Sequence, residues 1–336
     1  MILIGECREK MKELIADGVK VQMCVTSPPY FGLRDYGTEG QLGMEETPGM
    51  YVENMVEVFS LVRELLADDG TLWLNLGDTY SAHKDCESIG QTLAKGTSRE
   101  NAHVIEKGKS FSRNSKMLKS VGLKNKDLIG IPWAVAFALR ADGWYLRSDI
   151  IWNKPNPMPE SVKDRPTKSH EYIFLLSKNA DYYYNYEAIL EKANYDGRQD
   201  TVMKGSDKYK NGFVPGQSEQ SFHARGHERW REDKNGNKVR NKRSVWTVNT
   251  ASYRGSHFTT FPPALITPCI LAGSRPGDTV LDPFFGSGTT GEVAEKLGRK
   301  WIGIDINPSY EKLQRKRTAQ KGLTFCVGLF ILRGLN

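Results

Sequence analysis

Apolar residues in this chain fall into two alternating patterns. Short and predominantly apolar runs, Ile2–Ile4, Val21–Val25 and Thr71–Leu76, end at glycine, proline or aspartate, as strands buried on both faces do. Between them Cys7–Ala16 has helical spacing, and Met50–Leu66 places Met55, Val58, Phe59, Val62 and Leu65 on one helical face. Asp68-Asp69-Gly70 is expected to end that helix. The pattern then predicts a helix over Asp127–Leu139, with Pro132 and Trp133 early, and strands over Trp144–Trp152 and Tyr172–Leu176. After a helix over Pro262–Gly273 it closes on strand, helix, strand, helix: Thr279–Leu281, Thr289–Leu297, Lys300–Ile304 and Ser309–Thr318. Such alternation predicts an α/β fold, a mostly parallel twisted sheet with helices on both faces.

Two of the predicted strands run into unusual turns. Val21–Val25 is followed by Thr26-Ser27-Pro28-Pro29-Tyr30. A proline donates no ladder hydrogen bond and pushes the residue before it into an extended conformation, so the strand stops and the turn is stiff. The Ser27 hydroxyl, the neighbouring carbonyls and the Tyr30 ring are then held in fixed relation, acceptors beside an aromatic face, which suits a planar heterocycle carrying an amino group. A proline-rich turn with a core tyrosine is the competing reading. The glycines of Phe31–Pro48 suggest a mobile loop over this turn.

The second turn is Asp282-Pro-Phe284-Phe-Gly286-Ser-Gly288-Thr289-Thr-Gly291, a GxGxxG sequence between a strand and a helix, with Asp305 closing the next strand. Strand, glycine turn, helix, strand and acid in that order describe a nucleotide-binding fingerprint, the carboxylate accepting from ribose hydroxyls. This leaves open a dinucleotide, S-adenosylmethionine, or a purely structural turn.

Charge changes the picture by where it sits. Of 336 residues, 47 are Lys or Arg and 40 are Asp or Glu, for a net charge of +7. Residues 80–126 carry a net +6, and residues 198–243 another +6, so the rest of the chain is net acidic. Two basic inserts on an acidic body favour a polyanion partner. The first is expected to be disordered when free, because it has few apolar residues. The five cysteines are scattered without a CxxC pair, which argues against a disulfide framework or structural zinc. His223 and His227 are four apart but lack companion ligands, so no metal site is expected. No apolar run is long enough to span a bilayer and the N-terminus lacks a basic region, so a cytoplasmic protein is expected. The apolar tail Leu323–Asn336 leaves open an edge strand or a contact with a second subunit, and a homodimer is among the expectations.

Taken together, Val25-Thr26-Ser27-Pro28-Pro29-Tyr30 and Asp282-Pro-Phe-Phe-Gly286-Ser-Gly288-Thr-Thr resemble the catalytic and cofactor signatures of amino-directed DNA methyltransferases. The order, catalytic element first, is similar to the beta class of that family, in which the Rossmann-like methyltransferase sheet is permuted. The resemblance covers residues 1–79, 127–189 and 244 to about 318, and assigns 1–79, 127–189 and 244–336 to a catalytic core. It implies methyl transfer from S-adenosyl-L-methionine to an exocyclic amine of double-stranded DNA, on a base flipped out of the helix. Ser27, Pro28, Pro29 and Tyr30 would grip the base, with Trp152 helping to stack it. Phe284, Gly286, Gly288 and Thr289 would surround the methionine part of the cofactor, with Asp282 beside them, Asp305 at the ribose, Glu6 near the adenine and Thr259 in the motif before the cofactor loop. Asp78 falls where relatives keep an acid near the base, either as proton acceptor or as a helix cap. Thr-Ser-Pro-Pro-Tyr resembles the N4-cytosine version of the motif, N6-adenine being the alternative. The inserts match no part of the family. Residues 190–243 are expected to read the target, with Arg229, Arg231, Arg240 and Arg243 on DNA, and 80–126 to add phosphate contacts. Two other classes are weighed. An NAD-dependent dehydrogenase would leave Ser27–Tyr30 and the basic inserts without a purpose, and a non-catalytic DNA-binding protein would need neither Ser27 nor Gly286.

Overall fold

The computed structural model describes residues 1–33, 38, 40–81, 121–193, 231–250 and 261–319. The central parts of both basic inserts, His223 and His227, residues 257–260 and the apolar tail lie outside them. The chain divides into two compact units, Met1–Asn185 with Arg243–Asn336, and Tyr186–Lys242.

Elements follow in chain order: β1 Ile2–Ile4, α1 Cys7–Ala16, β2 Val21–Thr26, α2 Pro48–Leu65, β3 Leu66–Leu76, α3 Ile131–Ala141, β4 Tyr145–Asn153 and β5 His170–Ser177. Three short strands of the second unit come next, β6 Glu191–Lys192, β7 Arg231–Glu232 and β8 Lys238–Arg240. The first unit resumes with β9 Val245–Thr247, α4 Pro263–Gly273, β10 Thr279–Asp282, α5 Thr289–Lys296, β11 Lys300–Asp305 and α6 Glu311–Ala319. Its eight strands form one sheet in the order β1-β11-β10-β2-β3-β5-β4-β9, in which β5 alone runs antiparallel to its neighbours.

The alternation within β3 builds both layers. Leu72, Leu74 and Leu76 join Met11 of α1, Met55 and Phe59 of α2 and Val135 of α3 in one apolar cluster. The alternate positions meet α4, where a Cβ on Gly273 would stand 2.9 Å from Trp73 Nε1 and 3.0 Å from Thr71 Oγ1. Glycine lets that helix lie close on the sheet. The sheet is thus covered on both faces, as the alternation of elements predicts. Among the described residues no helix is long and apolar enough to cross a membrane.

Asp68-Asp69-Gly70 does not punctuate the chain as expected. Leu66 already pairs with Val21, and the next pair is Met23 with Thr71, so four residues of β3 stand opposite the single Gln22. The acids are held within this bulge: Gln22 Nε2 donates to Asp69 Oδ1 at 2.9 Å. A Cβ on Gly70 would come within 2.9 Å of the Ala67 carbonyl, so the bulge requires a glycine. Pairing with β2 overrides a turn signal that is local.

The third helix also starts later than its pattern suggests, at Ile131 with Pro132 in the first turn. In the second unit the sheet order is β6-β8-β7. Its β7–β8 hairpin turns at Asn235-Gly236, with Gly236 at φ +77° and Asp233 Oδ1 accepting from the N–H groups of Asn235 and Asn237 at 2.8 Å.

Candidate active site

Strands β2 and β10 are neighbours, Val280 opposite Met23 and Leu281 opposite Cys24, so the prolyl turn and the glycine turn leave the same end of the sheet side by side. Both line one cavity of about 820 Å³, together with Asn75, Asp78, Lys154, Glu171 and Asp305. A buried carboxylate joins them. Asp282 Oδ1 accepts from Thr26 Oγ1 at 2.6 Å and from the Phe284 N–H at 3.1 Å, and its Oδ2 accepts from Thr290 Oγ1 at 2.6 Å. Burial pushes the Asp282 carboxyl up to about 6, and these three hydrogen bonds oppose the rise. Asp282, expected on the cofactor, lines the cavity and also brackets the two turns.

Gly286 and Gly288 lie at φ +49° and +83°, conformations that side chains disfavour, and Gly288 is the N-cap of α5. The bend is fastened to β11: the Phe285 N–H donates to the Ile304 carbonyl at 2.9 Å, and its ring stacks on Trp301 with centroids 5.0 Å apart. At the end of β11, Asp305 accepts from the Asn307 N–H at 2.9 Å and from Gln314 Nε2 at 2.8 Å, and Gln314 Nε2 also reaches the Gly286 carbonyl. Burial, with a smaller contribution from the nearby Asp282, pushes Asp305 up to about 6 against those hydrogen bonds. This end of the cavity offers a carboxylate acceptor, the apolar side chains Phe284, Ile306 and Leu313, and a glycine bend open to close approach. That set fits an adenosine carrying a charged chain. Thr289 is buried at the start of α5, with Oγ1 3.4 Å from Ser287 Oγ. Glu6 also reaches the cavity, but its carboxylate caps α1, accepting from the N–H groups of Arg8 at 2.9 Å and Glu9 at 3.1 Å. Thr259 lies outside the described residues.

At the other end, the prolyl turn is braced from behind. Tyr51 Oη donates to the Pro29 carbonyl at 2.9 Å, and the Leu33 N–H to the Tyr30 carbonyl at 3.2 Å. Gly77 lies against the Tyr30 ring, where a Cβ would come within 2.5 Å. Tyr30 Oη donates to Glu171 Oε2 at 2.6 Å and receives the Ser27 hydroxyl at 3.3 Å. Asn75 Nδ2 reaches the same carboxylate oxygen at 3.2 Å, and Lys154 forms an ion pair with the other. Burial, then the charge of Glu171, raises the Tyr30 hydroxyl well above its ordinary value, so it stays protonated.

Sequence reasoning missed Glu171, Asn75 and Lys154. The signal was a charged residue next to an apolar strand: Glu171 sits in β5 opposite Trp152, one residue before the run Tyr172–Leu176. Trp152, expected to stack on a base, is 2% exposed, donates to the Val248 carbonyl at 2.8 Å and has Lys154 Nζ 4.3 Å from its ring centroid. Asp78 lines the cavity, but Oδ1 accepts from Thr79 at 2.9 Å, Gly130 at 3.0 Å and Ile131 at 3.2 Å, all backbone N–H groups, so it is the cap of α3.

Of the four arginines expected on DNA, Arg229 and the side chain of Arg231 lie outside the described residues. Arg243 is exposed. Arg240 is buried in the second unit with Nε 2.9 Å from Glu191 Oε1, and so braces the small sheet.

A family model described as DNA methylase matches residues 21–316. The chain is 45% identical to the type II methyltransferase M.SmaI of Serratia marcescens over 320 residues, 95% of this chain and 91% of that one. It is 44% identical to M.Cfr9I of Citrobacter freundii over 292 residues, 86% and 78% of the two chains. Its fold is similar to that of the PvuII DNA methyltransferase (cytosine-N4-specific), with a TM-score of 0.57 and 16% identity over 96% of this chain and 86% of that one. It is also similar to TTHA0409 of Thermus thermophilus complexed with S-adenosyl-L-methionine, with a TM-score of 0.51 and 21% identity over 95% and 94%. The two turns meeting in one cavity, and these likenesses along nearly the whole chain, lead to one conclusion: the chain belongs to the N6/N4 DNA methylase family, and is a DNA methyltransferase whose methyl donor is S-adenosylmethionine.

Proposed function

We propose that the chain methylates N4 of cytosine at a specific site in duplex DNA, on a base swung out of the helix. Serine at position 27 supports this reading: the Thr-Ser-Pro-Pro-Tyr turn stands at one end of the cavity and the glycine bend at the other. A base within the stack cannot enter such a cavity, so extrusion precedes chemistry.

An exocyclic amine is a poor nucleophile because its lone pair is drawn into the ring. Ser27 Oγ and the adjoining backbone accept its two hydrogens and hold them out of the ring plane, which returns lone-pair density to nitrogen. S-Adenosylmethionine, when bound, supplies an electrophilic methyl group on a positively charged sulfur. Asp305 would accept from its ribose, Phe284, Gly286, Gly288 and Thr289 would enclose its methionine part, and the stiff double proline fixes where Ser27 would hold the amine. Alignment of this kind contributes on the order of several kcal/mol. Residues 190–243 read the target and the basic inserts hold phosphates.

The test is to incubate the protein with cofactor and plasmid, digest the DNA to nucleosides and identify the product. N4-methylcytosine is expected, whereas N6-methyladenine would move the target base. Sequencing the modified plasmid gives the recognition site.

A further inference from the structure

The network beneath the prolyl turn has a direction, and from it we infer that Glu171 is the terminal proton acceptor of the reaction, reached from the target amine through Ser27 and Tyr30. A carboxylate can only accept. Tyr30 therefore donates its proton to Glu171 Oε2, 2.6 Å away, and its oxygen receives the Ser27 hydroxyl at 3.3 Å. With its proton pointing at Tyr30, Ser27 Oγ is left to accept on the side that lines the cavity. The chain of donors thus fixes Ser27 as an acceptor, the role that the proposed reading of the turn requires and on which this inference rests.

The same chain disposes of the proton that the amine must lose. Once nitrogen carries the methyl group it holds one proton too many. Its N–H bond breaks to Ser27 Oγ as the serine proton passes to Tyr30 Oη and the tyrosine proton to Glu171 Oε2. The neutral methylated base and a protonated Glu171 result, and neither hydroxyl is left charged. The proton then leaves through the cavity, which Glu171 lines. The surroundings suit this task. Asn75 Nδ2 is 3.2 Å from Glu171 Oε2 and also donates to the Tyr172 carbonyl at 3.0 Å, so the carboxylate is held in place. The charged groups around it are Lys154, paired to its other oxygen, and Lys168 and His170 on the loop and strand that carry it. Lys168 donates to the Asp78 carbonyl at 2.6 Å, and burial lowers both its proton affinity and that of His170. Asp78, another acid of the cavity, is occupied by backbone N–H groups, and Glu160 is paired with Arg165.

Single-turnover methyl transfer from labelled cofactor to a duplex carrying the site, followed across pH 5–9 in H₂O and D₂O, tests the assignment in Ser27→Ala, Tyr30→Phe, Glu171→Gln and Glu171→Asp variants. Glu171→Gln and Tyr30→Phe should each slow the chemical step by roughly 10²-fold and reduce the solvent isotope effect, with cofactor affinity unchanged. Glu171→Asp should restore both the rate and the isotope effect. If Glu171→Gln keeps the rate within about threefold and keeps the full isotope effect while Ser27→Ala is slow, the relay is wrong and the reading of the turn stands. If Ser27→Ala is also unaffected, that reading falls with it. Should Glu171→Gln fail to fold by thermal melting, Tyr30→Phe carries the same test, because it keeps the ring and removes only the relay oxygen.

Discussion

Two aspartates that look alike in sequence do different work. Asp282 ionises at about 6 in the folded protein, against about 3.9 in an unfolded chain. Below pH 4 both states are protonated. Between pH 4 and 6 the folded state keeps a proton that the unfolded chain has released, so Asp282 makes the fold less stable as pH rises through that window, with no further change above it. Asparagine has no charge to bury. The melting temperature of Asp282→Asn, taken relative to the wild type, should therefore rise from pH 4 to pH 7, the whole effect staying within about 3 kcal/mol; a flat difference would mean that the three hydrogen bonds fully offset burial. Asp305 is shifted similarly but faces the cavity. Its prediction concerns the ligand: Asp305→Asn should weaken S-adenosylmethionine binding by roughly tenfold, and wild-type affinity measured by calorimetry should fall below pH 6, as the carboxylate takes up a proton and loses an acceptor.

Among the elements, strands and helices with strong periodicity were legible to within a residue or two, as α1 and β1 show. What could not be read was whatever depends on partners distant along the chain. The β3 bulge is decided by its pairing with β2, and the start of α3 by a carboxylate some fifty residues earlier. Both signature turns were visible because proline and glycine restrict the backbone locally. Glu171, Lys154 and Asn75 were not, because ordinary polar residues declare a role only once β3, β4 and β5 are side by side. The capping role of Asp78 gives a prediction at this scale. Asp78→Ala should destabilise the protein by about 1–2 kcal/mol by leaving the first N–H groups of α3 without an acceptor, yet the folded variant should methylate within about threefold of the wild-type rate with an unchanged pH profile. A large loss in rate with stability intact would give Asp78 a chemical part instead. At Gly303 the issue is space: a Cβ would stand 2.3 Å from the Phe285 ring. Gly303→Ala should cost about 1–3 kcal/mol in urea unfolding and alter Trp301 fluorescence, because Phe285 must leave its stacked position.

For the whole molecule, the proposed hold on DNA is a matter of charge. The two inserts carry more positive charge than the chain's entire net excess of +7, and removing one cation that neutralises a phosphate should flatten the salt dependence of affinity by about 0.9 in log–log slope. Neutralising Arg229, Arg231 and Arg243 together should reduce the slope by about 2–3 in filter-binding titrations between 50 and 300 mM salt. Neutralising Arg240, which braces the small sheet through Glu191, should instead lower thermal stability and leave the slope alone. Equal slopes for the triple variant and the wild type would place the phosphate contacts elsewhere.

The hydrogen bond from Thr26 to Asp282 joins positions 256 residues apart. During synthesis the prolyl turn leaves the ribosome long before the strand that completes its chamber, and such remote pairings form slowly. A chain that stops short of β10 lacks Asp282, the glycine bend and Asp305, and with them one whole wall of the cavity that the prolyl turn opens into.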